Sequence, residues 1–168
     1  MSYLLGQTLG VLGSVCCLIF PLFRHKWQML VTNAAGNLLF AMNLVFIGQF
    51  GSAVILCCVG TVQALVSLWH VRFNKLVSKK ESLVFLILYL VGGFSSLKGW
   101  IDLIPIGGAV FNLLATFQRD EQKTRVFVLF NALFYLVYFW LVGSTSVLAE
   151  IGIITTTILS FLKYQKKQ

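Results

Sequence analysis

Residues 82–97 read SLVFLILYLVGGFSSL, an apolar run bounded by Lys79-Lys80-Glu81 on one side and by Lys98 on the other. As a helix its 16 residues extend about 24 Å, a little short of the roughly 30 Å hydrocarbon core of a bilayer. Three apolar runs precede it and three follow. If it crosses the membrane, both groups of three enter from the same side. If it stays on one side, the second group is inverted relative to the first. The parity of this stretch decides the fold.

The surrounding composition sets the class. Hydrophobic residues make up 58% of the 168 and charged residues 11%, and the mean hydropathy is +0.89. A soluble domain needs about 25% charged residues to cover its surface, so the chain reads as an integral membrane protein forming one bundle. The net charge of +8 does not imply nucleic acid. Its bases stand in short clusters between apolar runs, the pattern of membrane orientation and of contact with anionic lipids. The pairs Cys16-Cys17 and Cys57-Cys58 lie inside apolar runs. Adjacent helical residues diverge by about 100°, so neither pair makes a disulfide or a metal fork, and both read as small packing residues. The N-terminus lacks the basic region of a cleavable signal and is read as the first span.

Seven spans follow, at about 3–23, 27–47, 52–71, 82–97, 103–117, 125–142 and 147–162. Between Lys80 and Arg119 lie 38 residues, about 57 Å of helix, too long for one tilted crossing. SLKGWIDLIP, residues 96–105, supplies an interfacial turn in the middle. With seven spans, the loops after the first, third and fifth share a side with the tail and hold twelve of the thirteen Lys and Arg residues, leaving Lys98 opposite. Positive charge collects on the cytoplasmic side, so the N-terminus is expected outside and the C-terminus inside.

The two groups of three match each other. At an offset of 94, Leu9, Gly13, Phe23, Asn37, Leu39 and Phe40 fall on Leu103, Gly107, Phe117, Asn131, Leu133 and Phe134. One inserted residue later, Gly48 and Thr61 fall on Gly143 and Thr156. The expected fold is all-α, with seven transmembrane helices in two parallel three-helix repeats joined by a linker helix. The repeats occupy 3–71 and 103–162, the linker 82–97, and a cytoplasmic tail 163–168.

This 3+1+3 layout resembles the SWEET and PQ-loop superfamily. The runs DLIPIGG, residues 102–108, and VLAEIG, residues 147–152, resemble the YgjV family of bacterial inner-membrane proteins. That resemblance implies a multi-pass protein of the bacterial cytoplasmic membrane and brings no assigned substrate. SWEET-type sugar carriers have a proline-glutamine signature, whereas Pro21 and Pro105 are each followed by another residue.

Polar residues inside the spans are the candidates for function. Asn37 and Asn131 sit at matching mid-span positions, where two amides facing each other across the repeat interface can bind a polar solute from both sides. The plain alternative is that each holds its helix to a neighbour. Glu150 is a carboxylate within the last span, aligned with Ile55 of the first repeat; it reads as a coupling or substrate-contacting group, or as a partner of Lys98. Asn112 is a second-tier solute contact beside Asn43 and Gln63, whose ordinary role is helix packing. Trp140 can stack on a solute or belong to the interfacial belt. His25 and His70 read as solvated interfacial residues. No catalytic triad, phosphate loop, metal-ligand cluster or cofactor motif is present in the sequence, so an enzyme is not expected. The reading is a small secondary transporter or facilitator for a polar solute, in a bilayer carrying anionic lipids, as a monomer or a homodimer. The competing reading is a scaffold or a lipid- or partner-binding module without transport.

Overall fold

The computed structural model describes residues 2–46, 48, 52–95, 99–142 and 147–165. Among these the chain forms seven α-helices: α1 Ser2–Ile19, α2 Lys26–Phe46, α3 Ser52–Arg72, α4 Lys79–Phe94, α5 Leu103–Phe117, α6 Glu121–Val142 and α7 Val147–Gln165. Short 3-10 turns at Phe20–Leu22 and Trp100–Asp102 lead into the next segments. Five helices are long and apolar enough to cross a membrane, while α4 has 16 residues and α5 has 15. Most of the second-loop segments, residues 49–51 and 143–146, lie outside the described residues, as do 96–98 and 166–168.

Two helices begin earlier than apolarity predicts, and each has a capping reason. At α4 the sequence Ser78-x-x-Glu81 makes a reciprocal cap: Glu81 N–H donates to Ser78 Oγ at 3.1 Å, and Ser78 N–H donates to Glu81 Oε2 at 2.7 Å. Satisfying those end groups draws Lys79-Lys80-Glu81 into the helix. At α6, Asp120 Oδ1 accepts from Gln122 N–H at 2.7 Å and from Lys123 N–H at 3.2 Å. The helix therefore starts at Glu121 rather than at 125, and Thr124 and Arg125 enter its first turns.

Consecutive helices pack on one another around the bundle, and α7 returns to α1 and to the turn at Phe20–Leu22. The linker α4 lies along both α3 and α5, which also touch each other. Gly92 of α4 meets Ile55 and Leu56 of α3. Three residues earlier Tyr89 bonds Gln63, and Phe85 stacks edge-on against Phe117 of α5, 5.6 Å between centroids. The contacts step back along α3 as α4 advances, so α4 runs antiparallel to α3. If α3 crosses a bilayer, α4 crosses it back. The buried core formed by Phe85, Tyr89, Ala109 and Leu113 surrounds this junction.

The outer surface is apolar, with Leu4, Val11, Leu83, Val91, Trp100 and Leu148 all exposed. Hydrophobic burial does not drive helices together inside lipid, so close contact between small residues must contribute. Gly13 of α1 receives the Phe40 ring of α2, which lies 3.3 Å from where a β-carbon would stand. Gly107 of α5 receives the Phe134 ring of α6, closer still at 2.6 Å. These are equivalent pairs at the 94-residue offset. Cys16 and Cys17 each lie 3.4 Å from where a β-carbon on Gly36 would stand, and all four cysteines are free thiols.

Candidate functional site

The predicted asparagines each turn toward a glycine of their own triplet. Asn37 of α2 lies against Gly60 of α3, its Nδ2 3.1 Å from where a β-carbon would stand, and donates from Nδ2 to Asn33 Oδ1 at 3.3 Å. Asn131 of α6 lies against Gly108 of α5. A missing side chain leaves the room an amide needs, which is why each is drawn to its neighbour rather than across to its repeat equivalent. No hydrogen bond joins the two among the described residues. They differ in satisfaction: Asn131 Oδ1 is buried and accepts no bond among those residues.

Glu150 occupies the first turn of α7 and is partly buried. It has no hydrogen-bond or ion-pair partner among the described residues, and Lys98 lies outside them. Two residues further along α7, Gly152 receives Leu18 of α1, so this end of α7 packs on α1. The Tyr135 ring of α6 lies against Gly108 of α5. One turn of α6 therefore brings Asn131 and Tyr135 beside Gly108.

Asn112 joins a neighbouring network. Tyr89 O–H donates to Gln63 Oε1 at 2.7 Å, Gln63 Nε2 donates to the Leu113 carbonyl at 3.2 Å, and Asn112 Nδ2 donates to Tyr89 Oη at 3.4 Å. These bonds tie α3, α4 and α5 at their buried junction. Trp140 is 74% exposed on α6 and stands outside the interior cluster; a ring pointing outward fits the interfacial belt.

A second polar cluster, which the sequence reading missed, joins the two halves at the basic end of the bundle. Lys26 is buried, and its Nζ donates to the Ala115 carbonyl and to Thr124 Oγ1, both at 2.7 Å. Arg125 is also buried; it donates from Nε to the Pro21 carbonyl at 3.2 Å and from Nη2 to the Phe23 carbonyl at 2.6 Å. Its guanidinium lies 4.7 Å over the Tyr164 ring, while Tyr164 O–H donates to the Leu22 carbonyl at 3.1 Å. The carbonyls of Pro21, Leu22 and Phe23, in and just after the turn that follows α1, are thus held by side chains from α6 and α7. In the sequence Lys26 stood in the first loop and Arg125 at the start of the sixth span, and both carried only an orientation signal; the Asp120 cap was the available clue that α6 begins before Arg125.

His70 is likewise buried rather than solvated, 5% exposed, because Glu81 of α4 reaches its Nε2 at 3.1 Å. Glu81 is held below the usual carboxylate range, first by the Ser78 backbone N–H it accepts and further by the Ser78 hydroxyl and His70.

No curated protein and no solved structure matches this chain. A family model described as a bacterial inner membrane protein, Imp-YgjV, matches residues 4–168. Seven packed helices, an apolar outer surface and that near-complete match make the chain a member of the Imp-YgjV family of bacterial inner membrane proteins.

Proposed function

We propose that this protein is a small secondary transporter or facilitator that passes a polar solute of low molecular weight through the bundle interior. The observation that carries this reading is unspent hydrogen-bonding capacity: Asn131 Oδ1 is buried without a partner, and Glu150 lacks one among the described residues. Buried polar groups in a membrane bundle are costly to leave unmatched and mark solute pathways. Asn131, Tyr135 and Glu150 form the solute-contacting group. Asn37 and Asn112 shape the helices around it, and the role is transport rather than catalysis.

The Lys26, Arg125 and Tyr164 contacts form a closed gate at the basic end, which charge asymmetry assigns to the cytoplasm. Alternating access requires the two triplets, joined through α4, to rock and release these bonds. Monomer and homodimer are both compatible with such a path.

The test is uptake of a panel of neutral and zwitterionic metabolites into liposomes that carry the protein. Asn131→Ala and Glu150→Gln should lower uptake about tenfold or more, the value of a hydrogen bond to a bound polar group. Trp140→Ala, altering the exposed ring, should leave uptake unchanged. Folded Asn131 and Glu150 variants with full flux would overturn the site. A wild-type protein that moves none of the panel would favour the scaffold reading.

A further inference from the structure

Lys26 stands where the two triplets meet, and its surroundings suit an amine better than an ammonium. It is 4% exposed, and Thr124 and Arg125 of the same clasp are 1% exposed each. Its Nζ reaches two neutral acceptors, the Ala115 carbonyl and Thr124 Oγ1, both at 2.7 Å. Thr124 spends its own proton on the Asp120 carbonyl at 2.9 Å, so its oxygen accepts from Lys26. Two acceptors match the two N–H groups of a neutral amine. An ammonium carries a third, which finds no acceptor among the described residues.

The charged groups nearby supply no counter-ion. Glu121 Oε1 accepts the backbone N–H of Lys26 at 3.3 Å, and no ion pair joins it to Nζ among the described residues. Asp120 Oδ1 is occupied by the N–H groups of Gln122 and Lys123. Arg125 is a second cation in the clasp, spent on the Pro21 and Phe23 carbonyls and on Gln122 Oε1. The α5 helix has no ionisable side chain, and α7 brings Tyr164, stacked on Arg125. On the side of the first triplet, Arg24, His25 and Arg72 are exposed, while His70 is turned to Glu81. A buried charge without a counter-ion is costly, and lysine relieves it by losing its proton.

We propose that Lys26 is a proton-operated latch, neutral while the two triplets are clasped and protonated when they part, so that acid favours parting. The clasped form binds one proton fewer. Falling pH therefore draws the equilibrium toward the parted form by at most about tenfold per pH unit. The latch deepens the gate reading and rests on it for a role in transport, whereas its tests need no solute and are decided apart from flux.

Nitrogen NMR of lysine-labelled protein in nanodiscs reads the proton directly. At about pH 9 ordinary lysines, with pKa near 10.4, are charged. One of the nine lysines should then give a neutral-amine signal, and Lys26→Met should lack it. Nine ammonium signals, or a neutral one that persists in Lys26→Met, overturn the proposal.

Parting is read from the distance between spin labels at Arg72→Cys on α3 and Lys123→Cys on α6. Both positions are exposed and their side chains lie outside the clasp; the four native cysteines are replaced by alanine. Between about pH 9 and about pH 5 a longer distance should grow in the protein that keeps Lys26, within the tenfold-per-unit limit. In Lys26→Met, or in Lys26→Gln should the methionine variant not fold, the distance should not follow pH. A distance indifferent to pH with Lys26 in place overturns the latch. So does an equal response without it, because His25, Glu121 or another group would then carry the proton.

Discussion

Removing one oxygen atom, in Tyr89→Phe, tests how the linker helix is held. Tyr89 is 3% exposed and Gln63 0%, so solvent cannot replace what is lost. The substitution takes the proton from Gln63 Oε1, now held at 2.7 Å, and the acceptor from Asn112 Nδ2 at 3.4 Å. Stranding a buried acceptor costs about 1–3 kcal/mol in water-soluble proteins. Interhelical bonds in membranes average about 0.6 kcal/mol with a maximum near 1.7. The short Tyr89–Gln63 bond belongs near the upper membrane value, and the long Asn112 bond adds little, so Tyr89→Phe should cost about 1–2 kcal/mol. Gln63→Leu should cost a similar amount, because it strands the phenol. In the double variant both members of the 2.7 Å pair are gone together, so its cost should fall well below the sum of the single costs, giving a coupling of about 1 kcal/mol. Reversible unfolding in mixed micelles, followed by circular dichroism across the four proteins, measures the cycle. Strictly additive costs, or a Tyr89→Phe protein as stable as the parent, would refute the claim that this network holds α4 between α3 and α5.

Two further outcomes follow from local geometry. Gly107→Ala places a β-carbon 2.6 Å from the Phe134 ring, which is itself hemmed by Phe111 at 5.4 Å. Overpacking of about 1–3 kcal/mol should outweigh the helix-propensity gain of about 1 kcal/mol. Gly13→Ala, where the nearest ring atom is 3.3 Å away, should be close to neutral, and equal stability of the two variants in thermal unfolding would contradict this ranking. Because the folded state depresses the Glu81 pKa from 4.5, its contribution is present above about that pH and lost as pH falls through the lower folded value. The unfolding midpoint should therefore decline on the acid side below about 4.5, less steeply in Glu81→Gln, and identical acid limbs would rule the linkage out.

Much of the architecture was legible in the residues because a bilayer imposes a simple rule. Backbone polar groups in lipid must be satisfied within helices, so apolar runs separated by basic clusters count the helices and place their loops. Positions matched at an offset of 94 make matching contacts that the sequence did not foretell: Gly13 with Phe40, and Gly107 with Phe134. Burial of polar side chains was less legible, because it depends on which neighbour happens to be a glycine or an open carbonyl. Asn37 and Asn131 share a register yet differ in satisfaction. Trp140 stands exposed on the outside of α6, a facing that its position in the span does not reveal.

What the sequence determined by itself is the all-helical membrane class, the seven segments and the basic end, since hydropathy and charge act on each segment separately. Only the tertiary structure decided that Lys26 and Arg125 are buried clasps on carbonyls about a hundred residues away, and that His70 is buried against Glu81 of the next helix. Those roles come from distances between separate helices, and side-chain packing, not periodicity along the chain, sets such distances.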